Sequence, residues 1–164
     1  MYRQVGPDAP LTQGDIIDGC PLLVWEEALP DVQPRAGEFI GRIVVLTQAC
    51  DLAQAKTTRV VAALVHDAKQ LVDAGILKTR AVQDQVRLHR IYGWYFLPAG
   101  DALDESIVDL RDLHTVPRSI LETLIRQGRR CCQIESPYRE HLAQHFAMTY
   151  SRIGLPLPYE TKAE

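Results

Sequence analysis

Two periodicities divide the chain. Aliphatic and β-branched runs dominate the first 65 positions, and helical spacing enters after them. Gly14-Asp15-Ile16-Ile17 opens a strand, and Pro21-Leu22-Leu23-Val24-Trp25 either continues it or forms a second one. Pro21 argues against a central position there, since proline has no N–H to give to a ladder. Residues 27–38 hold Pro30, Pro34 and Gly37 among charges and read as a long exposed loop. Phe39 to Thr47 is the strongest strand, and its unbroken Ile43-Val44-Val45-Leu46 predicts burial on both faces. Thr58 to Val65 is its expected antiparallel partner.

The period then changes. Ala68 to Ala74 reads as a helix stopped by Gly75, and Thr79 to Ile91 as another with Val82, Val86 and Leu88 as inward candidates. Gly93 to Leu97 is an aromatic strand with Trp94 and Phe96 on one face and Tyr95 on the other. It predicts core on one side and a polar-tipped rim on the other. Ser106 to Leu110 is a short strand. Pro117 opens a helix whose Ile120, Leu121, Leu124 and Ile125 form one face, closed by Gly128. Residues 130–135 add a strand. The last helix has Ser136 as N-cap, Pro137 at its first position, Leu142, Phe146 and Ile153 along its stripe, and a stop at Gly154 and Pro156.

This order predicts an α+β fold: a small, strongly bent antiparallel sheet or SH3-like β-barrel, with inserted helices and a C-terminal helix packed across it. One domain is expected over residues 1–164, with a loose lead-in (1–12), a helical insertion (66–92) and a tail (155–164).

Composition adds limits. A chain of 164 residues with 46% hydrophobic and 24% charged residues can bury a core without a metal or disulfide staple. A net charge of −3 argues against broad nucleic-acid binding, yet leaves room for a local basic pocket. No apolar run approaches the ~20 residues of a membrane span, and Met1 to Pro7 has no apolar signal core. The expectation is a cytoplasmic protein without a membrane partner. Cys20, Cys50, Cys131 and Cys132 include no C-x-x-C pair, so free thiols are expected.

Three stretches carry a family resemblance. Gly14-Asp15-Ile16-Ile17 is similar to the opening G-D-[IL]-[IVW] strand of the MazF/PemK toxins. Gly41-Arg42-Ile43-Val44-Val45-Leu46-Thr47 is similar to their [GH]-R-P-x-V-V-L-S strand. Ile107 to Leu113 with Ser119-Ile120-Leu121 resembles their last strand and closing helix. The resemblance implies an SH3-like barrel in a bacterial toxin–antitoxin or phage-defence setting, acting on RNA by metal-free cleavage and needing no cofactor. It also implies an antitoxin-like protein partner and a homodimer. The chain departs from the pattern: Ile43 replaces the proline after the arginine, His66-Asp67 stands where the toxins carry a hydroxyl residue, and residues 66–105 and those from Arg129 onward have no counterpart. The alternative is a non-catalytic module that binds a partner protein or a nucleotide or phosphate ligand.

The catalytic candidates are Arg42, His66 and the Gln48-Ala49-Cys50-Asp51 loop. Metal-free RNA cleavage needs proton transfer near neutral pH, which histidine supplies, and a cation on the phosphorane, which arginine supplies. Cys50 beside a histidine is a potential nucleophile. The plainer reading pairs Arg42 with a carboxylate, lets His66-Asp67 begin a helix cap, and buries Cys50. A phosphate site is drawn from Arg126, Arg129, Arg130 and Arg139 near the Ser136-Pro137-Tyr138 helix start, with Tyr138 stacking on a base. Its alternative is surface pairing with Glu122, Glu135 and Glu140. His141 and His145 share a helix face at i, i+4, as zinc-binding pairs do. No glutamate lies in the right place and no third ligand can be named, so they are expected at the surface or at a pocket rim and no metal ligand is assigned.

Overall fold

The computed structural model describes residues 1–25 and 35–151. Seven strands, β1 (Tyr2–Arg3), β2 (Asp15–Trp25), β3 (Ala36–Val45), β4 (Arg59–Asp67), β5 (Trp94–Leu97), β6 (Ser106–Pro117) and β7 (Arg130–Ile134), form one antiparallel sheet. Their order is β1-β7-β2-β3-β4-β6-β5. The helices are α1 (Ala49–Ala53), α2 (Ala68–Asp73), α3 (Thr79–Ala81, running into a π-helical turn, Val82–Val86), α4 (Arg118–Arg126) and α5 (Tyr138–Tyr150). The α+β class, the inserted helices and the C-terminal helix agree with the sequence expectation. No helix among the described residues is long and apolar enough to cross a membrane.

Burial on both faces explains the unbroken apolar run of β3. Strand alternation sends Ile43 and Val45 into one core with Ile17, Ala62, Leu64, Leu52 of α1, and Leu121 and Ile125 of α4. Val44 turns to the other face, with Ile16, Ala63, Val65, Tyr95, Leu110 and Leu142 of α5. A smaller cluster of Ala68, Leu71, Val82, Val86, Trp94 and Ile107 seats the inserted helices. Tyr95 is therefore core rather than rim, at 1% exposure.

The sheet curls until β2 touches β6, although β3 and β4 lie between them. It does not close. β7 covers β2 only over Asp15–Ile17, and β5 covers β6 only over Ser106–Asp109. Among the described residues Pro21–Trp25 then pairs only with β3, and 113–117 only with β4. Ile17 pairs with Ile43 and Cys20 with Gly41, so Asp18 and Gly19 form a bulge opposite Arg42. Gly19 has φ +71°, which favours glycine there.

Several boundaries differ from the sequence reading. The lead-in is fastened: Tyr2 and Arg3 pair with Ile134 and Gln133, and Leu11 is buried. Of the expected loop, Ala36–Glu38 belongs to β3, where cross-strand pairing with Leu23–Trp25 overrides Gly37; 26–34 lies outside the described residues, as do Ile153, Gly154, Pro156 and the tail. Residues 49–53 are helical, because Leu52 needs one turn to reach the core. The expected 79–91 helix is shorter; its wide π turn keeps both Val82 and Val86 buried, and the chain leaves at His89 with φ +51°. β6 continues to Pro117 through pairing with β4, which no local apolar signal announced. Pro117 and Pro137 stand at the N-cap positions of α4 and α5, without a side-chain capping bond, one residue earlier than expected for each proline.

Candidate functional site

Arg42 projects opposite the bulge, and the Asp18 carboxylate raised there takes it in two bonds, Nε at 2.5 Å and Nη2 at 3.1 Å. Cys131 of β7 donates its thiol to the same carboxylate at 3.0 Å. Burial pushes the Asp18 carboxyl up, but bonds from Arg42 and Cys131 and the charges of Arg42 and Arg129 outweigh it, and its pKa is lowered. Burial and the Asp18 bond push the Cys131 thiol up to about 12, so it stays protonated. Arg42 thus has the carboxylate partner of the plainer reading.

The pair is about one-third exposed at the arginine, so its contribution to stability is small. Because Asp18 ionises more readily folded than unfolded, that contribution is full above the ordinary carboxylate pKa. It fades as pH falls through the lowered folded value. Asp18→Asn is expected to cost less than about 1 kcal/mol at neutral pH. In denaturant melts the difference from wild type should disappear in acid.

The structure does not gather the catalytic candidates. His66 follows Leu64 and pairs with Ile107, so alternation puts it on the face opposite Arg42 and Val44. Its neighbour Asp67 caps α2 by accepting from the Gln70 N–H at 3.0 Å. Gln48, Cys50 and Asp51 do lie together: the exposed Cys50 thiol is 3.6 Å from Gln48 Oε1 and 3.9 Å from Asp51 Oδ1. They stand past the end of β3 on α1, whose Leu52 packs on the face opposite Arg42. The expected burial of Cys50 is corrected, since Leu52 takes the inward place on that turn.

The expected phosphate cluster is dispersed. Arg130 is buried within the sheet, paired with Asp15 at 3.3 Å and bonded to the carbonyls of Pro10, Gly6 and Ala9. Arg129 contributes charge to the Asp18 group. Arg126 bonds Thr123 on α4. Arg139 pairs with Glu140, and its stem lies over Gly14, where an added Cβ would sit 3.3 Å from Arg139 Cγ. Tyr138 is exposed at the start of α5. These five residues serve four different neighbourhoods.

What the fold does build is a slot of about 750 Å³ at the unclosed seam. One wall is Pro21–Trp25 of β2 and the other is Asp112–Pro117 of β6, with Ile120 of α4 at the base and Glu38 and Arg59 at the sides. Pro21 has no N–H to give β3, so its pairing with Ile40 is of the non-hydrogen-bonded kind. By alternation Pro21, Leu23 and Trp25 turn their backbone groups toward the open edge. Leu23 and Trp25 are also strongly exposed apolar residues, at 70% and 76%. Sequence reasoning marked Pro21 as an edge residue but had no signal for the second wall.

A second pocket, of about 200 Å³, lies between α5 and the turn after α3. His141 and His145 reach it as their spacing implied, but His145 is buried rather than at a rim. A third histidine, His89, joins them from the turn. Nothing in the sequence signalled it, because its approach depends on the φ +51° backbone and on how α5 packs.

No protein-family model and no curated protein matches the chain.

Proposed function

We propose that the chain is a non-catalytic binding module that takes an extended segment of a partner protein as an added strand between β2 and β6. The observation that carries this is the facing of two strand edges that lack partners among the described residues, across a cleft with an apolar base. Strand addition draws affinity from main-chain hydrogen bonds and specificity from alternate side chains. Leu22, Val116 and Ile120 offer the inward contact. Glu38, Arg59 and Asp112 present charges of both signs at the sides, which suits a peptide more than an anionic nucleotide. The metal-free cleavage reading has less support, because Arg42 is held by Asp18 and His66 lies on the other face.

The test is selection of peptides from a random display library on the immobilised chain, followed by calorimetric titration of a selected peptide. Alternating apolar sequences should emerge. Ile120→Asp and Leu23→Pro should each weaken binding at least about tenfold, the second by removing one outward N–H. Binding unchanged in both variants overturns the reading. So does growth arrest with RNA cleavage on induced expression, relieved by Arg42→Ala.

A further inference from the structure

We propose that His89, His141 and His145 form a binding site for a zinc ion, independent of the β2–β6 slot. His145 is the strongest indication. It is 5% exposed, its Nε2 is buried without a hydrogen-bond partner, and it lines the small pocket. A buried imidazole nitrogen with no hydrogen-bond partner beside a cavity is an open coordination position.

His141 is held in place from the core side. Its Nδ1 is hydrogen-bonded to the Tyr95 hydroxyl at 3.0 Å, and its ring also faces the pocket. Tyr95 is fully packed in the core, so it holds that ring from a rigid strand. His89 supplies the third imidazole, with its own Nδ1 buried and unpartnered.

The ring centres are 4.8 Å (His89–His141), 5.8 Å (His89–His145) and 6.4 Å (His141–His145) apart. Three imidazoles on one tetrahedral ion at ~2.0–2.1 Å hold their ring centres about 5 Å apart. The rings now stack instead, His89 on Tyr95 at 4.4 Å and edge-on to His141, and no three ligating side chains among the described residues already converge on one point. Binding therefore requires side-chain rotation and an inward shift that bring the three imidazoles onto one ion. The lining holds no carboxylate or thiolate, only imidazoles with Tyr92, Gln144 and Met148. Imidazole donors favour zinc over the hard ions magnesium and calcium. Three neutral ligands leave a fourth position for water or an anion.

The experiment uses the whole chain, stripped with chelator and dialysed against zinc or cobalt. One zinc per chain is expected by elemental analysis, with a rise in melting temperature and the intense visible absorption of tetrahedral cobalt. His89→Asn should abolish stoichiometric binding while keeping the turn, since asparagine tolerates positive φ. His145→Ala should do likewise, and circular dichroism reports whether it folds. Tyr95→Phe should weaken zinc about 10–100-fold, as loss of an outer-shell partner does. His66→Ala should bind as wild type does. Absence of stoichiometric zinc in the wild type, or wild-type affinity in folded His89→Asn, overturns the site.

Discussion

Arg130→Ala is expected to cost about 3–5 kcal/mol of folding stability, read as a lowered midpoint in chemical denaturation. Asp15 is 0% exposed and accepts from Arg130, from Gln133 Nε2 at 2.8 Å and from the Thr12 N–H at 2.9 Å. Burial pushes its carboxyl up, against the pull of those bonds. Removing the guanidinium strands a charge where water cannot reach it. It also frees the Gly6, Ala9 and Pro10 carbonyls, so proteolysis in residues 4–12 should quicken. Asp15→Asn in the same chain should recover part of the loss, because the stranded group is then neutral. A cost near zero for Arg130→Ala would mean that the pair does not hold the lead-in.

Leu121→Ala is expected to cost about 2–5 kcal/mol, within the range for emptying a well-packed core position. Leu121 is 0% exposed and joins α4 to Ile17, Ile43 and Leu64 across the sheet. Its neighbour Ile120 is only partly buried and forms the base of the slot. Ile120→Ala should therefore cost less in a melt yet reduce capture of a slot-binding peptide. The two adjacent side chains separate stability from recognition. Equal losses in the melt would show that Ile120 is core instead.

The framework was readable because its signals are local. The run Ile43-Val44-Val45-Leu46 can only be satisfied by cover on both faces, and both faces are covered. The i, i+1, i+4, i+5 spacing of Ile120, Leu121, Leu124 and Ile125 placed α4 to within a residue. Pro21 correctly pointed to an edge. The rest depends on contacts between distant positions. Arg130 looked like one of four surface cations, and only the partner 115 residues away, Asp15, makes it internal. Arg42 and His66 looked adjacent because β3 and β4 are paired, but parity sends them to opposite faces. His89 had no helical partner to mark it, and residues 111–117 of β6 lack the alternation that announces a strand.

Pro21 bears on solubility as well as on topology. A bare border of N–H and C=O groups invites identical molecules to stack along it into fibres. At Pro21 that border has no donor to offer, and Asp112 on the opposite wall adds a charge that an identical strand would have to bury or confront. The seam can thus stay open to a well-matched stranger while remaining an unfavourable template for the chain itself.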